Sequence, residues 1–307
     1  MPERDWERLG ELAGGLKASA VGVGPEGLGW VGGMEEPAEG GLLERMKARR
    51  ARLLRVAAGN PSSVWEGAGW VQALDCSGPV GAAVVGTLRA SGTGSDYHLL
   101  VAEEGGREWR ARGPVGAPTV TQVLAVSERE LWVLGAGFLG RTADGGATWK
   151  EVRLAGEREP RTERLRRVEG GVALLGQGLS LSLDGGQTWS PREVGAARVV
   201  DVDGAFVAAL VDGQTRVGER QDTGVRWGEP LPAGREPVRL VATEGVLRVL
   251  TRGVDPARGV EPALHVSEDG GNTWSHHPLP LGPRVDISGR EWALGVDAGG
   301  VLLGRLA

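Results

Sequence analysis

The chain has 307 residues and a formal charge of −5, with 53 Gly and 17 Pro against two Phe and one Tyr. This is a turn-rich β composition in which most aromatic packing falls to the 11 Trp, at a length that suits one all-β domain. The net negative charge argues against wholesale coating of nucleic acid. The single cysteine, Cys76, excludes an intrachain disulfide and a Cys-rich zinc centre, and no stretch approaches the roughly 18 apolar residues of a membrane span. Met1–Arg8 mixes charges and has no apolar leader core, so a cytoplasmic location is expected.

From the N-terminus, Asp5-Trp-Glu-Arg-Leu9 reads as a strand like Thr148-Trp-Lys-Glu-Val152 further on. Leu28-Gly-Trp30-Val-Gly-Gly33 is a second strand, matched by Glu130-Leu-Trp132-Val-Leu-Gly135 and Glu291-Trp292-Ala-Leu-Gly295. Gly40 to Ala58 is less regular. A hairpin turning at Lys47 to Arg50 fits the repeat register, while Leu42 to Arg55 also has the spacing of an amphipathic helix.

Beyond residue 100 one phrase recurs. It is clear at Thr142-Ala-Asp144-Gly-Gly-Ala-Thr-Trp149, Ser182-Leu-Asp184-Gly-Gly-Gln-Thr-Trp189 and Ser267-Glu-Asp269-Gly-Gly-Asn-Thr-Trp274, and worn at 102–109 and 220–227. The closing tryptophans fall at 109, 149, 189, 227 and 274, steps of 40, 40, 38 and 47 residues. A period near 40 is that of one propeller blade. Within the phrase, an Asp before Gly-Gly accepts backbone N–H groups while the glycines take φ > 0, which makes a tight turn between strands. Thr-Trp then opens the next strand with a β-branched residue and an aromatic suited to burial.

In the clearest blade, four strands follow at Thr119 to Val126, Leu131 to Leu134, Gly137 to Arg141 and Trp149 to Leu154. The predicted fold is all-β, a single seven-bladed β-propeller of four-stranded antiparallel blades. They span about 16–58, 63–113, 119–154, 163–194, 197–231, 237–279 and 283–306, with residues 4–9 pairing to 300–306 as the missing strand of the last blade.

The phrase S/T-x-D-x-G-x-T-W resembles the BNR or Asp-box repeat of sialidases, sortilin-type receptors, xyloglucan-active glycosidases and the photosystem II assembly factor. That resemblance implies that Asp144, Asp184 and Asp269, with Trp149, Trp189 and Trp274, are structural and lie on the face opposite an active site. A sialidase would resemble its family in an Arg-Ile-Pro segment and a late Tyr-Glu nucleophile pair. Here Arg-Ile-Pro is absent and the only tyrosine, Tyr97, lies in the first third. Length and blade count fit the assembly-factor type best, which implies a non-catalytic scaffold gripping another protein.

No other chemistry is singled out. A glycosidase needs two carboxylates about 5 to 10 Å apart, and no spacing picks out a pair. His98, His265, His276 and His277 show no metal-ligand spacing, so neither a metal nor a cofactor is expected, nor any catalytic residue.

In a propeller the first-to-second and third-to-fourth strand turns share one face, while second-to-third and blade-to-blade connections share the other. Long connections of the latter kind are predicted at Met34 to Gly40, Arg89 to Asp96, Arg252 to Pro262 and Ala155 to Thr162. Binding tends to reside in such loops. The candidate partner-binding residues are therefore Glu35, Glu36, Glu39, Asp96, Tyr97, Asp255, Arg258, Glu261, Arg158 and Arg161. Glu35, Glu36 and Glu39 would make an acidic loop, and Lys150 to Arg167 a basic one, orienting a protein partner. The basic run Glu44 to Arg55 is expected to reach the turn face as a solvated surface. The reading is a cytoplasmic, monomeric protein-binding scaffold, with a carbohydrate-active hydrolase or glycan-binding propeller as the alternative.

Overall fold

The computed structural model describes residues 6–10, 15–24, 28–56, 61–76, 80–103, 107–153, 162–195, 197–222, 224–253, 261–279, 284–288, 292–297 and 300–305. Among these, seven four-stranded antiparallel sheets follow one another along the chain, each strand pairing with its neighbour in sequence except at the last sheet.

The first strand is β1 (Trp6–Gly10). Blade one contains β2 (Lys17–Val23), β3 (Gly29–Glu35), β4 (Arg50–Val56) and β5 (Ser62–Ala68), with a helix α1 (Leu42–Lys47) between β3 and β4. Blade two contains β6 (Trp70–Asp75), β7 (Ala82–Leu88), β8 (Ser95–Glu103) and β9 (Glu108–Val115). Blade three contains β10 (Gln122–Ala125), β11 (Leu131–Gly135), β12 (Phe138–Thr142) and β13 (Lys150–Glu151). Blade four has β14 (Thr162–Val168), β15 (Gly171–Gly176), β16 (Gly178–Ser182) and β17 (Ser190–Arg192). Blade five has β18 (Arg198–Asp203), β19 (Phe206–Val211), β20 (Gln214–Gln221) and β21 (Gly224–Pro230). Blade six has β22 (Arg235–Thr243), β23 (Val246–Gly253), β24 (Ala263–Ser267) and β25 (Ser275–Pro278). The last sheet holds β26 (Arg284–Ser288), β27 (Trp292–Asp297) and β28 (Gly300–Arg305). There β1 supplies the fourth strand, with Trp6 opposite Gly304 and Gly10 opposite Val301, as the sequence predicts.

Packing divides the chain into two compact units, Met1–Arg153 with Arg284–Ala307, and Leu154–Pro283. In the first, the leading strand β2 packs on β26 and β6, and β6 on β10; in the second, β18 packs on β14 and β22. Leading strands are thus innermost, and the cores lie between sheets. Val84, Leu99 and Val101 of blade two meet Val123, Leu131 and Val133 of blade three, while Leu175 and Leu179 of blade four meet Val199 and Val207 of blade five. Burial on both faces explains why β11, Leu-Trp-Val-Leu-Gly, is apolar throughout rather than alternating.

Blade one departs from expectation. No hairpin turns at Lys47 to Arg50: that stretch ends α1, and the third and fourth strands move on to β4 and β5. Gly40, at φ +102°, leads into the helix; the Gly41 N–H donates to Glu44 Oε2 at 3.0 Å, and Arg45 and Ala48 make the i to i−4 bonds. Blade one therefore runs to Ala68 and blade two begins at Trp70, not near 63. Trp65, which the predicted boundary placed in blade two, stands in the last strand of blade one, where its ring joins a core with Trp30, Leu53 and Trp109.

Candidate functional site

The recurring phrase forms the turn between third and fourth strands. In blade four Asp184 Oδ1 accepts Ser182 Oγ at 2.9 Å and the N–H groups of Gln187 and Thr188 at 2.9 and 3.0 Å, while Oδ2 accepts Thr188 Oγ1 at 2.6 Å. The Gly186 N–H donates to Ser182 Oγ at 2.7 Å, and Gly185 and Gly186 stand at φ +70° and +83°. Asp144 and Asp269 repeat this geometry with Thr142, Thr148, Ser267 and Thr273. Hydrogen bonds from Thr188 and Thr273 hold Asp184 and Asp269 down to about 2, and those from Thr148 lower Asp144 as well. These carboxylates are saturated by their own turns, which is a structural use. Trp149 and Trp274 pack half-buried against blade cores, and Trp189 is half-buried.

On the opposite, loop-bearing face of the first unit, the predicted acidic patch is largely neutralised. Glu36 is ion-paired with Lys17 and Arg49, both at 3.1 Å, and these bonds hold its carboxyl below the usual range. Glu35 pairs with Arg52 at 2.6 Å, and Arg52 also reaches Glu66 at 2.8 Å. Glu39 is exposed. The basic run is divided between the faces: Arg45 and Lys47 belong to α1 in the connection from second to third strand, Arg49 and Arg52 tie that connection to its own blade, and Arg55 at the far end of β4 stands opposite Ser62, beside the turn between third and fourth strands. Asp96 is exposed and paired with Arg89 at 2.8 Å. Tyr97 is buried in the core between blades two and three, so it cannot serve as a surface contact.

Neither the sequence motifs nor the charge count pointed to what α1 presents. Leu42 and Leu43 are 65% and 48% exposed, and no residue of the helix is buried. A Cβ placed on Gly92 would lie 3.5 Å from Leu43 Cδ1, so Leu43 borders the 89–94 loop of blade two.

In the second unit the loop-bearing ends of β14, β18, β22 and β23 enclose a cleft of about 190 Å³, lined by Arg164, Arg198, Val199, Val200, Glu236, Pro237, Val238 and Arg252. Arg198 Nη1 donates to Glu236 Oε1 at 2.6 Å, while Arg252 Nε and Nη2 donate to Oε2 at 3.3 and 3.1 Å. Burial pushes the Glu236 carboxyl up, but these hydrogen bonds outweigh it and leave it below the ordinary value. Arg164 Nη1 donates to the carbonyls of Val200 at 3.3 Å and Val238 at 2.5 Å. Beside the cleft, Arg235 Nη1 donates to the Glu261 carbonyl at 2.8 Å. Asp255, Arg258, Arg158 and Arg161 lie outside the described residues. Arg164, Arg198 and Glu236 were missed although they stand 34 and 38 residues apart, near the blade period; Arg198 and Glu236 hold corresponding points, each just ahead of the bulge in its leading strand.

Successive up-and-down four-stranded sheets with buried faces, joined through the first and last strands, define a β-propeller. No protein-family model matches the chain, and no curated protein does. Solved structures do. BamB from Moraxella catarrhalis is similar at TM-score 0.55 and 13% identity, over 99% of this chain and 96% of that one. The β-propeller domain of the Trilobed protease from Pyrococcus furiosus, which has an open velcro topology, gives 0.56 and 10% over 96% and 93%. The extracellular domain of the putative one component system BT4673 from B. thetaiotaomicron gives 0.63 and 10%, and there the match covers 98% of this chain but 40% of that one. At such identities the likeness is one of fold. Among the described residues no helix is long and apolar enough to cross a membrane.

Proposed function

We propose that the protein is a non-catalytic scaffold that binds another protein through the loop-bearing face, opposite the Asp-Gly-Gly turns. The observation that carries this reading is the pair Leu42 and Leu43, held out to solvent on a helix inserted into a blade connection. Large apolar side chains exposed together and rimmed by polar groups are characteristic of interfaces. The arginine-lined cleft supports the non-catalytic part, because its only described carboxylate, Glu236, is already engaged by two arginines, whereas glycoside hydrolysis uses a carboxylate pair. The turn geometry at Asp144, Asp184 and Asp269 supports grouping the chain with Asp-box propellers.

The test is affinity capture from the native organism with wild type and the double variant Leu42→Asp, Leu43→Asp. A protein recovered by the wild type should be lost by the variant, while melting stays unchanged because both side chains are at the surface. Recovery of the same protein by both forms would overturn this use of α1. The cytoplasmic setting rests on sequence alone, and two similar structures are extracellular domains, so cell fractionation tests it separately.

A further inference from the structure

We infer that a second cleft, on the outer flank where blades four and five meet, is a binding site for a phosphoryl group. It lies apart from the scaffold reading and from the cleft around Glu236. The end of β17 and the turn from β20 to β21 enclose about 420 Å³, lined by Arg192 from blade four and Arg220 from blade five. Three features carry the assignment. First, these two guanidinium groups share one space without a carboxylate pairing either of them among the described residues, whereas Arg226 on the next strand takes Glu219 at 2.6 Å. Burial first, then the charge of Arg192, hold the Arg220 guanidinium below its ordinary value, so an anion set against the pair relieves a repulsion that the fold imposes. Second, Arg220 is fixed in advance: its backbone N–H donates to the Ala205 carbonyl at 2.7 Å and its Nη2 to the Gly204 carbonyl at 2.5 Å. A donor held in this way loses little freedom when a ligand arrives. Third, two charges have to be matched. A phosphate monoester carries about −1.5 to −2 near neutral pH and offers three acceptor oxygens on one atom, while a single carboxylate brings one charge. Leu179, Pro191 and Val225 line the same space and lower the dielectric in which the arginines act, and the volume leaves room for the group to which the phosphoryl is attached.

Glu193 and Asp222 also line the cleft, exposed to solvent, and among the described residues they pair with neither arginine. They repel an incoming anion, so attraction and repulsion can each be removed by a single substitution. The chemistry has two sources, a free small phosphate monoester or a phosphorylated side chain of a polypeptide.

The experiment is calorimetric titration of the whole protein at low ionic strength with four probes: glycerol 3-phosphate, a blocked pentapeptide centred on phosphoserine, the same peptide without its phosphate, and acetate. Saturable binding of glycerol 3-phosphate or the phosphopeptide is expected, tighter than either control, and the tighter of the two names the source. Arg192→Gln and Arg220→Gln should each weaken that binding about tenfold, the scale of one charge-assisted hydrogen bond. Asp222→Asn and Glu193→Gln should each strengthen it about threefold, the scale of one exposed charge pair. Arg192 is exposed, so its variant stays folded even where loss of the Gly204 bond destabilises Arg220→Gln, and melting curves check both. Absence of saturable binding by both phosphoryl probes, acetate or the unphosphorylated peptide binding as tightly as they do, or unchanged affinity in Arg192→Gln would each overturn the assignment.

Discussion

Asp201 is fully buried on β18 and joins three strands. Its Oδ2 accepts Arg166 Nη2 from β14 at 2.8 Å and the Leu240 N–H from β22 at 2.7 Å, and Arg166 Nε also meets Oδ1. Two residues on, Asp203 accepts the Ala242 N–H at 2.7 Å, and Asp75 does the same for Ala125 in the other unit at 2.8 Å. Inner-strand carboxylates thus fasten β18 to β14 and β22, and β6 to β10. Asp201→Ala takes the buried carboxylate away from Arg166 and from the Leu240 N–H, which costs about 3–5 kcal/mol; urea unfolding should show it, and a loss under about 1 kcal/mol would deny the fastening role.

His265 sets a second expectation at this scale. It is fully buried, its Nε2 lies 3.0 Å from Thr251 Oγ1, and its ring centroid is 4.9 Å from that of His276. Burial first, then the charges of His276, Arg235 and His277, push it down from 6.5 to about 3. The unfolded chain therefore takes up this proton below pH 6.5 and the folded chain only near 3, so stability is full above 6.5 and falls as pH drops between them. Asp184 and Asp269 add a further loss only between 3.8 and about 2. Melting temperature followed from pH 8 to pH 3 should decline first through the histidine window, and His265→Gln should flatten that part of the curve. An unaltered slope would show that His265 is not its source.

Among elements, the ones marked by the Asp-Gly-Gly phrase were legible because the turn chemistry is local: the side chains of residues 182, 184 and 188 satisfy one another within seven residues. Trp132 was legible for a related reason, since a Trp recurs near the start of the second strand in blade one at Trp30 and in the last sheet at Trp292. Blade one was not, because α1 displaces the third strand and its closing Trp65 stands in Ser62-Ser-Val-Trp, a stretch without the Asp turn. The arginine cleft was hidden for a different reason: its members sit on four strands and only pairing register brings them together. The helix itself buries no residue, so its presence is not required by the core. Replacing residues 42–47 with a short Gly-Asn link should leave the melting temperature within the small range of surface changes. A large loss would make α1 a structural part of blade one rather than an appendage on it.

For the whole molecule, the pairing of β1 with β28 gives the last sheet its fourth strand and removes an open edge. Unpaired edges are templates for association. Deletion through Gly10 should therefore turn a monodisperse preparation into associating material on size-exclusion chromatography with light scattering, with an earlier melting onset. A truncated chain that stayed monodisperse and melted like the intact one would show that β28 tolerates exposure.

The same pairing fixes an order of events during synthesis. Trp6 leaves the ribosome some 300 residues before its partner Gly304, so β1 is a strand without a sheet while they are added. At ordinary translation rates that wait is about 15 to 60 s. Blades one to six draw all their strands from contiguous stretches and can each pair as they emerge, whereas the last sheet waits until β28 has followed. The most vulnerable moment of this fold is thus the interval in which β1 waits for β28.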